Sequence, residues 1–493
     1  MTQANLTIVG LGPAGAELIT REAWDWLSGQ SEIWVRDTLH PAMQGLPEGL
    51  EVKSFELSDE DANEETAGLS QLIRQLIELA GRPEGVTYAV PGSPLVGDLS
   101  VSLLMRAAKK DGWSVRIIDG VSFLSVVSQA LGETVTAHWH IADANKLANL
   151  EVPNYPASQP AIITNLTSRE LASELKLTLM ANYADEYPVR MVHGAGTNME
   201  TVESLALWQI DRSPHIGGLT SLYVPPLESG RSFEDLQGVI GRLRAPGGCA
   251  WDREQTHLSL RPYLIEEAYE VLQALDEEDP EHLKEELGDL LLQIVLHAQI
   301  ASEDQEFNMT DVLAGISQKL IRRHPHVFSA LELGSADAVI KNWEKIKAAE
   351  RRQRGEEEEK GMLDGIPLAL PALTQAEQIQ KRAQRVGFDW PEIAPVLAKI
   401  REELEELEAA ENEAEKVAES GDLLFAAVNL IRWLGIDPEF ALRECNARFK
   451  RRFGYIEKHA IAEGRAVQDL SFEEMDALWE EAKHCKDVER NKV

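Results

Sequence analysis

The sequence predicts a multidomain protein in which an N-terminal α/β domain is followed by two all-α domains. Three observations carry that reading. Over roughly the first 225 residues, short runs rich in β-branched residues alternate with helical stretches and glycine-bearing turns, the texture of a mainly parallel sheet. After Tyr223-Val224-Pro225-Pro226-Leu227 the strand signal all but vanishes, and helical periodicity with dense Glu, Lys and Arg takes over. Within that helical half one set of motifs occurs twice in the same order. A length of 493 residues agrees with about three domains.

Strands are expected at Leu6–Val9, Val86–Val90, Val115–Ile118, Ala161–Thr164 and Val189–Val192. The first runs into Gly10-Leu11-Gly12-Pro13-Ala14-Gly15 ahead of a helix, formally G-x-G-x-x-G, and a dinucleotide-binding domain is one reading of that loop. The α/β domain is expected over 1–228, the first helical domain over 229–330 and the second over 366–490. Between them, 331–365 reads as a linker, its run Arg351–Lys360 as a solvated linker or helix end.

The repeat carries the chemistry. Glu266-Glu267-Ala268-Tyr269-Glu270 corresponds to Glu402-Glu403-Leu404-Glu405-Glu406, and Glu286-Leu287-Gly288-Asp289 to Glu419-Ser420-Gly421-Asp422. E-E-x-x-E sets its acids on one helical stripe, and E-x-x-D does the same on the next helix. Two such helices, antiparallel across a short connection, would point four or five carboxylates at one another. Oxygen-only ligands of this kind select a hard cation, Mg²⁺ or Mn²⁺. With 83 acids in 493 residues, a three-acid pattern arises by chance about twice, so spacing alone is weak. Stronger is the context, because Asp289 and Asp422 lead directly into apolar helix, where an unpaired acid is costly. Downstream, Lys319 with Arg323 and Arg448 with Arg452 form i, i+4 basic pairs suited to a polyphosphate tail. Phe388, Trp390 and Trp479 are candidate stacking partners for a base, although core filling is the commoner role of such residues.

Composition sets the limits. An apolar fraction of 44% with 27% charged residues is that of a soluble globular protein, and a net charge of −35 argues against nucleic acid or an anionic membrane as partner. Cys249, Cys445 and Cys485 are too dispersed for a disulfide framework, and no apolar run reaches about 18 residues. The expected location is the cytoplasm.

Residues Arg242-Leu243-Arg244, Gly248-Cys249-Ala250-Trp251-Asp252, the acidic motifs and Arg322-Arg323-His324-Pro325-His326-Val327-Phe328 resemble the first domain of MazG nucleoside triphosphate pyrophosphohydrolases. Leu370-Pro371-Ala372-Leu373, Gln380-Lys381-Arg382 and Val386-Gly387-Phe388-Asp389-Trp390 with the second acidic set resemble the second. The resemblance implies helical domains that form a homodimer and hydrolyse nucleoside triphosphates to monophosphate and pyrophosphate with Mg²⁺. It places metal ligands at Glu403, Glu406, Glu419 and Asp422, and at Glu267, Glu270, Glu286 and Asp289, with Glu402 and Glu266 beside them. Glu402 or Glu403 would take the proton of the attacking water, Arg448 and Arg452 would neutralise the departing pyrophosphate, and Lys381 joins the aromatic residues as a substrate contact. A basic residue is expected one turn before Glu419; Glu415 stands there, with Lys416 one position off.

In the N-terminal third, Tyr88-Ala89-Val90-Pro91-Gly92-Ser93-Pro94 and Gly120-Val121-Ser122-Phe123 resemble the second and third glycine loops of tetrapyrrole methylases, with Leu18-Ile19-Thr20 following the first. That resemblance implies a bilobal domain holding S-adenosylmethionine near Gly10, Gly12, Gly15, Pro91, Gly92, Ser93, Gly120 and Ser122. One acid of the first loop is missing, since Ala14-Gly15 replaces Gly-Asp. Two alternatives stand beside hydrolysis: a methyltransferase whose helical half dimerises, and a nucleotide-sensing module without turnover.

Overall fold

The computed structural model describes residues 5–36, 38–55, 65–136, 138–329, 331, 333–353 and 361–484. The chain divides into two compact units, 1–316 and 317–493. Cys485 and residues 354–360 of the charged run lie outside the described residues.

The first unit opens with β1 (Leu6–Gly10), β2 (Glu32–Val35), β3 (Glu51–Ser54), β4 (Val86–Val90) and β5 (Val115–Ile118). These form an all-parallel sheet in the order β3-β2-β4-β1-β5. The connections carry α1 (Arg21–Leu27), α2 (Glu65–Ala80) and α3 (Leu99–Asp111), and α4 (Phe123–Leu131) follows β5. β1 and β4 are buried at every position, which is why they read as predominantly apolar runs rich in β-branched residues. The edge strand β3, Glu-Val-Lys-Ser, is mostly exposed and gave no such signal.

A second sheet follows: β6 (His140–Asp143), β7 (Ala161–Thr164), β8 (Pro188–His193), β9 (Thr201–Ala206) and β10 (Thr220–Val224), with α5 (Ala144–Ala148) and α6 (Arg169–Leu179). Its order is β6-β7-β10-β8-β9, and only β6–β7 is parallel. The expectation of a mainly parallel sheet therefore holds for the first lobe and is corrected for the second, where short connections allow antiparallel pairing. Tyr223 and Val224, read as part of a domain break, are the buried end of the central strand β10.

Position 228 does not separate compact units. The Leu227 amide donates to the Ala157 carbonyl at 2.8 Å, Tyr187 Oη to the Pro226 carbonyl at 2.9 Å, and Ser158 Oγ to Ser232 Oγ at 3.1 Å. These bonds tie the connecting segment back onto the second lobe. Beyond it run α7 (Phe233–Arg244), α8 (Ala250–Glu254), α9 (His257–Glu277), α10 (Pro280–Glu303) and α11 (Met309–Arg323). Ile240, Leu260, Val295, Leu296 and Met309 build their core. Arg244, nearly buried, clamps the loop of the Gly248-Cys249 motif by donating to the Asp252 and Gln255 carbonyls while pairing with Glu303 at 2.7 Å. That motif is structural.

The second unit takes in the end of α11, then α12 (Pro325–Phe328), α13 (Ala336–Gln353), α14 (Ala372–Gln384), α15 (Ile393–Ala409), α16 (Glu413–Trp433), α17 (Pro438–Ala462) and α18 (Phe472–His484). The stretch 331–365, expected as a linker, thus contains an 18-residue helix. α13 is anchored by Glu350, 8% exposed, which accepts from Arg323 at 2.7 Å and Arg322 at 2.5 Å. Arg323, then Arg322, outweigh the burial penalty and hold the Glu350 carboxyl at about 2. A depressed carboxyl stabilises the fold above its unfolded value near 4.5, and that contribution is lost as pH falls toward 2. Calorimetric melting of Glu350→Gln should therefore show a deficit against wild type at pH 7 that closes by about pH 2 to 3; an equal deficit at both would count against this anchoring. No helix among the described residues is long and apolar enough to cross a membrane.

Candidate active site

Both acidic repeats fold into antiparallel hairpins. The Glu278–Asp279 turn joins α9 to α10, with Glu278 at φ 56° and Asp279 capping α10; residues 410–412 join α15 to α16, with Asn412 as the cap. The acids sit at similar distances on either side of each turn, so they meet across the hairpin.

In the second hairpin Glu403, Glu419 and Asp422 offer oxygens that all lie within 4.8 Å of one another; in the first, Glu267, Glu270 and Glu286 do so. Glu406, exposed, lies outside the tightest group, yet partial desolvation and the charges of Glu403, Glu419 and Glu402 push its carboxyl up against the pull of Lys399. Burial and the Asp289 charge likewise raise Glu267. Glu266 is exposed, as is Glu402, which accepts from Lys399 Nζ at 2.8 Å. Glu403 is 5% exposed and pairs with the same ammonium at 2.9 Å. Its counterpart Glu267 has Tyr263 at the position of Lys399. In the first hairpin His282 bridges Glu286 at 3.0 Å and Glu277 at 3.1 Å; the two acids outweigh burial and keep the ring readily protonated. Glu415, standing where a basic residue was expected, accepts from the Glu411 amide at 2.9 Å and so closes the start of α16. Lys399 supplies the positive charge instead.

A cleft of about 440 Å³ adjoins the second acid set and is lined by Glu403, Asp422 and Lys399 at one end and by Phe388 and Trp390 among its walls. Its floor contains a polar network. Arg432 Nη2 donates to both carboxylate oxygens of Asp389, at 2.8 and 2.9 Å, with both side chains nearly buried; Trp433 Nε1 donates to Asp389 at 3.1 Å, and Asn429 Oδ1 accepts from Arg432. Gln380 Nε2 donates to the Phe425 carbonyl at 2.8 Å. Aligning the hairpins on their acids sets Leu296 and Gln299 of the first against Asn429 and Arg432. Leu296 is core, so the first hairpin lacks this floor.

Other candidates lie elsewhere. Lys381 pairs with Glu377 at 2.8 Å, and Arg448 is exposed on α17. Trp479 packs on Phe449 beneath Arg452, 5.4 Å from its ring centre. None of Lys381, Arg448, Arg452 and Trp479 lines the cleft. Sequence reasoning passed over Lys399, Asn429 and Arg432, although two polar residues interrupting the apolar run Leu423–Trp433 were a usable signal.

In the first lobe the three glycine loops meet at the carboxyl ends of β1, β4 and β5. Gly12 and Gly92, both at positive φ, exchange backbone hydrogen bonds of 2.7 and 3.3 Å. A Cβ on Gly10 would stand 2.5 Å from the Gly92 carbonyl and 2.6 Å from the Gly120 nitrogen, so only glycine fits. Pro91 leads into this junction from β4. Ser93 Oγ donates to Asp119 at 2.6 Å, and Ser122 Oγ accepts from the Leu124 amide as the cap of α4. Gly15 precedes a short helical turn, with the Glu17 carboxylate folded against it where the first-loop acid is missing.

A two-lobed α/β domain followed by helical hairpins with facing carboxylates defines a nucleotide pyrophosphohydrolase fused to a methylase domain. Residues 5–211 match the family model for tetrapyrrole (corrin/porphyrin) methylases, 255–328 that for the MazG nucleotide pyrophosphohydrolase domain, and 373–449 that for phosphoribosyl-ATP pyrophosphohydrolase. The chain belongs to the MazG family, with a tetrapyrrole methylase domain at its N-terminal end. Uncharacterized protein YabN of Bacillus subtilis is 39% identical over 98% of this chain and 99% of its own. The Thermotoga maritima nucleoside triphosphate pyrophosphohydrolase/pyrophosphatase MazG is 47% identical over 52% of this chain and 97% of its own; the Escherichia coli K12 nucleoside triphosphate pyrophosphohydrolase is 44% identical over 51% and 97%.

Proposed function

We propose that the chain hydrolyses nucleoside triphosphates to monophosphate and pyrophosphate at the second hairpin, with Mg²⁺ or Mn²⁺ held by Glu403, Glu406, Glu419 and Asp422. The observation that carries this is the aromatic-walled cleft opening onto Glu403 and Asp422. The donor set fits a hard divalent cation: three carboxylates crowd within 4.8 Å, one of them nearly buried, at a cost that cation coordination offsets. A divalent cation there supplies charge neutralisation on phosphate oxygens and an acidified water. Phe388 and Trp390 hold the base against the cleft wall, orienting the phosphates toward the acids. Glu402, exposed beside the cluster, accepts the proton of the attacking water, and Lys399, released from its acids, neutralises phosphate charge. The first hairpin, with the same acids and without the polar floor, is a second cation site of lower or no turnover. A pyrophosphate-release assay with Mg²⁺ and each triphosphate tests the reading, and silence at every metal concentration would end it.

The helical half forms a homodimer in this reading. Leu287, Leu291 and Ile294 lie at i, i+4 and i+7 on α10, 49%, 36% and 41% exposed, an apolar stripe that calls for a partner. Light scattering should give twice the chain mass for wild type and a folded monomer for Leu291→Asp/Ile294→Glu; a wild-type monomer would refute it.

For the methylase domain we propose binding of S-adenosylmethionine, supported by the junction of glycine loops around Gly10, Gly92 and Gly120. Titration calorimetry should register heat with wild type and none with Gly92→Val. Absence of heat and of any thermal shift in wild type would leave the domain as a scaffold.

A further inference from the structure

We infer that Gln380 and Asn429 read the hydrogen-bonding edge of the nucleobase, and that the cleft therefore favours amino-bearing bases, adenine and cytosine, over their keto counterparts. The inference rests on the pyrophosphohydrolase reading of the same cleft.

Both side chains line the cleft and both are 7% exposed. Side-chain amides can present oxygen or nitrogen, but here the neighbours decide. The Phe425 carbonyl can only accept, so the atom facing it at 2.8 Å is the Gln380 nitrogen, and Oε1 must point elsewhere. That Oε1 is buried and has no hydrogen-bond partner. Arg432 can only donate, so the Asn429 atom at 2.6 Å from Nη2 and 3.1 Å from Nε is its oxygen, and Nδ2 turns away. Arg432 is itself held by Nη2, which donates to both oxygens of Asp389. Neither amide can flip without losing a buried bond. Two cleft-lining amides are thus fixed in orientation.

A buried acceptor without a partner is costly, and a ligand that satisfies it gains by the same measure. Gln380 lines the cleft and its Oε1 lacks a partner, so the group that satisfies it must project beyond the ring. An exocyclic amine does so, while the ring nitrogen beside it accepts from Asn429 Nδ2. Adenine (N6 amine, N1) and cytosine (N4 amine, N3) offer that order. Hypoxanthine and uracil offer the reverse, an exocyclic oxygen facing an oxygen and a ring N–H facing an N–H. Sites of this type reject the analogue lacking the matching group, because their own polar atoms are left unpaired.

Steady-state pyrophosphate release from ATP, purine riboside triphosphate and ITP tests this on the full-length protein with Mg²⁺. In wild type, kcat/KM should fall about tenfold on removing the amine, and at least as far for ITP. In Gln380→Leu the ATP to purine riboside triphosphate ratio should collapse to within about twofold, chiefly through KM. Asn429→Asp keeps the oxygen that Arg432 requires and replaces the donor by an acceptor, so the ATP to ITP ratio should drop about tenfold while the ATP to purine riboside triphosphate ratio stays. A wild-type ratio within twofold for ATP against purine riboside triphosphate overturns the inference while leaving hydrolysis intact. So does a ratio that survives in Gln380→Leu. Release from none of the three nucleotides overturns the hydrolase reading itself, and this inference with it.

Discussion

Glu403→Gln should lower the rate of pyrophosphate release on the order of 10³-fold. Glu403 is the most buried acid of the second cluster, so no water reaches its position to stand in for the lost charge. A neutral amide keeps the shape of the side chain but binds a hard dication poorly. Because the change removes a crowded buried anion, the metal-free thermal midpoint should stay within about 2 °C of wild type, while the rise in midpoint on adding Mg²⁺ should shrink. The matching change in the first hairpin, Glu267→Gln, should cost at least about 100-fold less activity, since that hairpin has Leu296 where the cleft floor needs Asn429. Retention of more than a tenth of wild-type activity by Glu403→Gln would remove the site from the second hairpin.

The largest expected loss of stability comes from Asp389→Ala. Its carboxylate is 12% exposed and Arg432 only 6%. Deleting the acid leaves a guanidinium buried without its counter-charge, which typically costs about 3–5 kcal/mol. For a unit of this size that is a fall on the order of 10 °C in midpoint. Burial alone would raise the Asp389 carboxyl, but bonds from Arg432 and Trp433 prevail and hold it below its usual 3.8. The pair therefore stabilises fully above that value and fades as pH drops through the lower folded one, so wild type and variant should converge in acid. Asp389→Leu/Arg432→Met should recover part of the loss, because a well-packed apolar pair avoids the buried orphan. A single-variant loss under about 1 kcal/mol, read by denaturant titration, would show the pair to be solvated.

Buried strands such as Val86–Val90 were legible where β-branched and apolar residues dominate the run, whereas β10, equally buried but opening on Thr220-Ser221, was not. Edge strands such as Glu51–Ser54 and Thr201–Ala206 were not, since half their side chains meet water and only sheet pairing identifies them. α13 was hidden for a similar reason: its sequence is strongly polar, and Glu350 becomes an anchor only when Arg322 and Arg323 fold against it.

The acidic hairpins were legible because helical periodicity is local. Spacing fixes which side of a helix each acid occupies, and a short turn forces neighbouring helices to face each other. The sequence by itself therefore determined the order of domains, the family and the paired carboxylates. Tertiary structure alone decided that Asp389 meets Arg432 across 43 residues and that Gln380 donates to the Phe425 carbonyl across 45, which locks its amide. Those contacts join α16 to α14 and to the segment between α14 and α15. No periodicity encodes them, because the chain must close before one helix can fix the side chains of another.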